Sequence, residues 1–150
     1  MKDFKLDKLG HSKSFFSKKN SLKVIDNSIF QKMNVELNKY DDLQIRLCLH
    51  RNKKENIHQM IIIQKKGLKA EIKKHKYKDK SYIILKGTQK INIFNNKLKI
   101  IREISLNKKN QIVWIPKNTI HQNISLTKSI HIETIKGPFD RKRDRVVYKK

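Results

Sequence analysis

From residue 43 onward the chain reads in twos. Positions 44–50 alternate strictly: Ile45, Leu47 and Leu49 face one way, and Arg46, Cys48 and His50 face the other, the period of a half-buried β-strand. Short β-branched blocks follow at 58–64, 81–86, 89–94, 100–106, 111–115, 122–126 and 129–135. Turn chemistry separates them: Lys65-Lys66-Gly67, Lys86-Gly87-Thr88, Asn95-Asn96-Lys97, the polar run 107–110, and Pro116-Lys117-Asn118. Such residues supply positive φ, fixed φ or local side-chain hydrogen bonds. Roughly eight strands at spacings near ten residues, with almost no helix between them, predict an all-β sandwich or barrel rather than an α/β fold. Gly137-Pro138 ends the last strong strand, and Val146, Val147 and Tyr148 can add one edge strand.

The pattern before residue 41 is different. Residues 2–23 are polar and lysine-rich around one aromatic pair, Phe15-Phe16, which is expected to pin this arm onto the core. Asn27 or Ser28 caps a short helix through about residue 38, with Ile29, Phe30, Met33 and Leu37 on the face that packs on the sheet. The expected organisation is an arm with a short helix at 1–40, a barrel at 41–140 and a charged tail at 141–150.

Composition narrows the class. A chain of 150 residues fits one domain and buries roughly two-thirds of its unfolded surface. The formal charge of +24 invites a polyanion partner. Yet the charge is nearly all lysine, with arginine only at Arg46, Arg51, Arg102, Arg141, Arg143 and Arg145, and nucleic-acid readers lean on the planar arginine fork. Lysine, isoleucine and asparagine are inflated together, as A/T-rich coding produces, and the lysines are spread along the chain. A solvated lysine coat is therefore expected rather than a nucleic-acid interface, with weak, salt-sensitive adhesion to polyanions. The single cysteine, Cys48, excludes an intramolecular disulfide and a paired-cysteine metal knuckle. No apolar run approaches the ~18 residues of a membrane span, and the polar N-terminal segment lacks a secretory apolar core. A reduced, cytoplasmic protein is expected.

Three polar segments carry the candidate chemistry. Glu71-Ile72-Lys73-Lys74-His75-Lys76-Tyr77 leads through a short polar turn into residues 81–87; Pro116-Lys117-Asn118-Thr119-Ile120-His121-Gln122-Asn123 follows a strand; and His131-Ile132-Glu133-Thr134-Ile135-Lys136-Gly137-Pro138-Phe139 closes the series. His131 and Glu133 are two apart and share a strand face, where a carboxylate beside an imidazole sets its tautomer and raises its basicity. Arg46 and His50 share a face in the same sense, and Arg46 suits a bidentate grip on a carboxylate or phosphate. His58 is a candidate for the pocket or its rim, and His11 lies in the arm with no assigned role. Trp114 is expected in the core.

In order and spacing these segments resemble the paired motifs of the cupin superfamily. The His-x-Glu-Thr-x-x-Gly-Pro-Phe ending, with Arg46 and His50 upstream, resembles the small WbuC-type cupins associated with gene clusters for surface polysaccharides. The resemblance covers residues 46–139. It implies a single cupin jelly-roll barrel (a double-stranded β-helix) with its pocket inside one end. It also implies a homodimer and a divalent metal (Zn, Fe, Mn or Ni) held in part by His75 and His121. Two ligand positions depart from the pattern. Tyr77 stands where the second histidine belongs, and the glutamate position falls on Lys80 when aligned on Gly87, or on Tyr82 if a short deletion is allowed. An inward Lys80 opposes a dication: a unit charge pair at ~4 Å interacts by about 4 kcal/mol at an effective dielectric of 20, and a dication doubles that.

The functional expectation is a small-molecule pocket protein, in first place a sugar or sugar-nucleotide isomerase or epimerase of surface-polysaccharide synthesis. His121, His131 and Glu133 are its candidate catalytic residues, and Arg46, His50, His58, His75, Tyr77, Lys80 and Tyr82 its candidate ligand contacts. The alternatives are a metal-dependent oxygenase or hydrolase with a degenerate site, and a non-catalytic protein that binds a ligand or a polyanion.

Overall fold

The computed structural model describes residues 3–7, 13–18, 22–39 and 42–149; His11 and the 40/41 boundary lie outside the described residues. The chain forms strands β1 (Phe4–Leu6) and β2 (Lys13–Ser17), helix α1 (Asn27–Asn38), and strands β3 (Gln44–Cys48), β4 (Ile57–Gln64), β5 (Ile72–His75), β6 (Lys80–Lys86), β7 (Gln89–Phe94), β8 (Ile100–Leu106), β9 (Ile112–Ile115), β10 (Ile120–Ser125) and β11 (Ser129–Lys136). A short helix α2 (Arg141–Asp144) and strand β12 (Arg145–Tyr148) complete it. One sheet runs β1-β2-β3-β4-β11-β6-β9 and the other β12-β5-β10-β7-β8. The all-β class is the one expected from the alternation, and the two-sheet jelly roll is the form that the cupin resemblance implies.

Strand register sorts the side chains. Across the larger sheet Cys48 pairs with Met60, Met60 with Glu133, and Glu133 with Tyr82; one layer along, Arg46 pairs with Ile62, Ile62 with His131, and His131 with Ile84. Paired residues share a face, so all of these point the same way. That way is inward, because Tyr82 and Ile84 pack with Ile115 of their own sheet and with Ile91 and Leu106 across the gap on the smaller sheet. On the smaller sheet Lys73 pairs with His121 and His121 with Ile93, which turns Lys73, His75 and His121 inward as well.

The outer face of the larger sheet is also covered. Ile45, Leu47, Ile61 and Ile63 pack against Met33 and Leu37 of α1 and against Phe4. The helix is capped by Asp26 rather than by Asn27 or Ser28: the Asp26 carboxylate accepts from Ser28 N at 3.0 Å and Ile29 N at 3.2 Å, satisfying two of the free N–H groups of the first turn. The aromatic pair does pin the arm. Phe15 packs on the α1 side, and Phe16 meets His50 edge to face at 5.3 Å. The arm does more than this, since β2 adds to β3 as a parallel strand.

One core expectation is corrected. Trp114 is 63% exposed: its register partner is Ser81, which places it on the outer face of the edge strand, away from α1. At the opposite end of β6, Gly87 turns the chain with φ +84°, and a Cβ there would stand 2.3 Å from the Lys128 carbonyl oxygen. No other residue type fits that turn without strain.

Candidate functional site

Inward residues between the two sheets form a polar cluster. Lys80 and Tyr82, two apart on β6, share the inner face, and the Lys80 side chain is 0% exposed. Its Nζ donates to Tyr82 Oη at 2.5 Å and lies 3.8 Å from Glu133 Oε1. Burial pulls Lys80 down to about 7, against the pull of Glu133. Burial would raise Glu133, but Lys80, Lys73 and Arg46 together hold it at about 2. Tyr82 is pushed up by burial and keeps its proton. Three basic side chains, Lys80, Lys73 and Arg46, thus act on one carboxylate.

Three imidazoles surround this group. His121 donates Nδ1–H to the Thr119 carbonyl at 2.9 Å, so Nε2 carries the lone pair; it is buried and without a partner. His75, with Nδ1 also unpartnered, faces it with ring centroids 6.2 Å apart. His131 Nδ1 lies 2.8 Å from Gln89 Nε2. An amide nitrogen only donates, which leaves the His131 proton on Nε2, again unpartnered, with the ring edge-on to Tyr82 at 5.4 Å. Burial first, and then the neighbouring lysines, lowers His75 to about 4 and His121 to about 2. Burial also takes His131 to about 4. All three are neutral at pH 7. Buried polar atoms with no partner are rare in folded proteins and call for a ligand or water.

Below the cluster lies a polar floor. Gln89 Nε2 donates to Gln64 Oε1 at 2.9 Å, Asn123 Nδ2 donates to Gln89 Oε1 at 3.1 Å, and Ser125 and Ser129 hydroxyls meet at 2.8 Å. This network fixes His131. Sequence reasoning missed it, and it missed Lys73. The signal for Lys73 was its place two residues before His75 on the same face; Gln89 carries no such signal, since only the β7–β10 register sets it opposite Ser125.

The other candidate residues are placed as follows. Arg46 is inward and within the field of Glu133. His50 and His58 stack on each other at 4.1 Å and form a separate rim cluster with Phe16. Burial lowers both. Tyr77 requires a correction: it is 59% exposed and lies under the Arg143 guanidinium at 5.6 Å. Strand β5 ends at His75, so Tyr77 is beyond the pleat that would have turned it inward. Cys48 is buried, with its thiol pushed up to about 12, and is inert packing.

A divalent ion between His75 and His121 does not fit this donor set. Catalytic divalent sites use three protein ligands and an open position. Here the second-histidine position points away, the glutamate position holds an inward ammonium or a phenol, and Glu133 is committed to Lys80. Among the described residues no three His, Cys, Asp or Glu side chains group to hold a metal. Among the described residues, too, no helix is long and apolar enough to cross a membrane.

No known family model and no curated protein sequence matches the chain. Solved structures do. The capsular polysaccharide assembling protein CapF from Staphylococcus aureus matches with 18% identity over 71% of this chain, at a TM-score of 0.57, but the chain spans only 32% of CapF. KdgF from Halomonas sp. matches at 13% identity and TM-score 0.53, over 67% of this chain and 83% of that one. A variant of salicylate 1,2-dioxygenase from Pseudoaminobacter salicylatoxidans, in complex with gentisate, matches at 6% identity and TM-score 0.63, over 84% of this chain and 37% of that one. At these identities the likeness concerns architecture, and with the facing sheets and inward polar cluster it establishes that the chain has the cupin fold.

Proposed function

We propose that the protein binds an anionic small molecule inside its barrel, a sugar phosphate or a nucleotide-linked sugar, and moves a proton beside that sugar's carbonyl group. It would thus act as an isomerase or epimerase in surface-polysaccharide synthesis. The observation that carries this reading is the inward Lys80–Tyr82–Glu133 group facing the unpartnered His121 Nε2. Three basic side chains against one carboxylate favour an anion over a neutral or cationic guest. Tyr82, protonated and accepting from Lys80, has its own hydroxyl proton to give to a carbonyl oxygen. Lys80, near 7, is matched to restore that proton at neutral pH. Glu133 and His121 Nε2 are the acceptors for the proton on the neighbouring carbon. Both are weak bases in the ligand-free state, because burial and the lysine charges disfavour a proton on the ring and the lysine and arginine charges disfavour one on the carboxylate. An anionic ligand would neutralise those charges and raise both, so that basicity arrives with the substrate.

The resemblance of the sequence at Arg46, His50 and 131–139 to WbuC-type cupins supports the polysaccharide setting, as does the shared fold with CapF, a capsular polysaccharide assembling protein. The reading is tested by incubating the protein with a panel of phosphorylated and nucleotide-linked keto sugars in deuterium oxide. Deuterium should enter the carbon next to the carbonyl, and Glu133→Gln and His121→Asn should each slow that exchange at least tenfold. A panel in which no sugar exchanges, and none raises the melting temperature, contradicts the proposal.

A further inference from the structure

We propose that the Lys80 ammonium is the resident cation of this barrel: it stands among His75, His121 and Tyr82 where a divalent ion would be coordinated, is balanced by Glu133, and makes the pocket metal-independent. This role of Lys80 does not depend on which small molecule the pocket takes. First, Lys80 is wholly withdrawn from solvent and its Nζ is engaged by Tyr82 at 2.5 Å and Glu133 at 3.8 Å, so the ammonium is held in place rather than free to swing out. Second, the two imidazoles that a metal would use are in position. Their centroids are 6.2 Å apart, and the inward His75 Nδ1 and His121 Nε2 have no partner. Nitrogen donors of the right type are therefore present, and what is missing is the carboxylate. Third, either way of aligning the chain at the missing carboxylate falls on Lys80 or Tyr82, and the structure turns both inward.

An ammonium and a metal ion solve the same electrostatic problem differently. The metal brings two charges and accepts lone pairs. The ammonium brings one charge and three donor protons, enough to serve Tyr82, Glu133 and an incoming anion. The two cannot share the space, since their like charges repel at contact distance in a poorly screened interior. Reversing the charge at position 80 should therefore do two things at once: remove the repulsion and supply the third ligand.

The test compares the full-length, tag-free wild type with Lys80→Glu, each incubated with zinc, dialysed against metal-free buffer and assayed for metal content. Wild type should return metal-free, and its His75 and His121 ring resonances should not move when zinc is added at neutral pH. Lys80→Glu should keep one zinc per chain, show a zinc-dependent rise in melting temperature, and lose both when His121→Ala is added. Wild type that retains stoichiometric zinc through His121 overturns the proposal, as does a cooperatively folded Lys80→Glu variant that retains none. If Lys80→Glu fails to fold, the wild-type ring resonances decide: movement of both on adding zinc overturns the proposal, and their constancy supports it.

Discussion

Lys80 Nζ lies 3.8 Å from Glu133 Oε1, with the lysine side chain 0% and the glutamate side chain 16% exposed. The pair links β6 to β11 on the inner face, and Lys80 is the largest charged influence on Glu133. Removing one partner of a buried pair strands the other, at about 3–5 kcal/mol, whereas removing both is often nearly neutral. Glu133→Gln is therefore expected to destabilise the fold by about that amount, and Lys80→Met/Glu133→Gln should recover most of the loss. Chemical denaturation of the two single variants and the double variant measures the coupling; strict additivity would contradict it.

Stability should fall in mild acid. His75 and His131 are held at about 4 in the fold and return to about 6.5 when unfolded. Between those values the unfolded chain binds more protons, so stability drops as pH falls from 6.5 towards 4. Each ring contributes on the order of 2 kcal/mol between pH 6.5 and 5. Lys80, lowered to about 7, acts at the other end of the scale: its unfolded form holds the proton up to ~10.4, so its contribution to stability rises from pH 7 to 10. Melting temperature recorded against pH for wild type and His131→Asn checks the acid arm, which should be shallower in the variant.

The helix is a cover for the outer face, separate from the site. Leu37 and Met33 are fully buried against Ile45, Leu47, Ile61 and Ile63. Leu37→Ala should cost about 2–5 kcal/mol while leaving affinity for the pocket ligand unchanged in the folded fraction. Denaturation and ligand titration of the same variant separate the two effects.

Gly87→Ala should destabilise by more than the ~1 kcal/mol of an ordinary glycine substitution. It meets both a positive φ and the Lys128 carbonyl oxygen at 2.3 Å. Tyr77→Ala, by contrast, should stay within ~0.5 kcal/mol of wild type, as exposed substitutions do, and should leave the deuterium exchange intact. Loss of exchange in Tyr77→Ala would return that residue to the site.

The strands that build the pocket were legible because each has one buried face. Alternation at 44–50 already turned Arg46 and Cys48 away from Ile45 and Leu47, and the spacing of His131 and Glu133 put them on one face. What alternation cannot supply is the point where a strand stops. Tyr77 keeps the phase of His75 in the sequence but lies past the end of β5, and so it points outward. Strand β5 itself escaped notice because Ile72-Lys73-Lys74-His75 has one apolar residue in four, and with it went Lys73. Trp114 was misplaced for a different reason. Its strand is at a sheet edge that α1 does not reach, and local sequence does not say which stretch of sheet a distant helix covers. The buried amide floor around Gln89 was invisible because glutamine in a strand reads as a solvent-facing residue until its partners are known.

The most direct test of the pocket uses protein labelled in its histidine rings, titrated with the panel of sugar phosphates and nucleotide-linked sugars and followed by nuclear magnetic resonance. At least one member should shift the His75, His121 and His131 rings together at neutral pH, with saturation, while the rim pair His50 and His58 moves less; Lys80→Met should weaken that titration at least tenfold. A panel that moves none of the three inner rings, or moves only the rim pair, would contradict a ligand site centred on Lys80, Glu133 and His121.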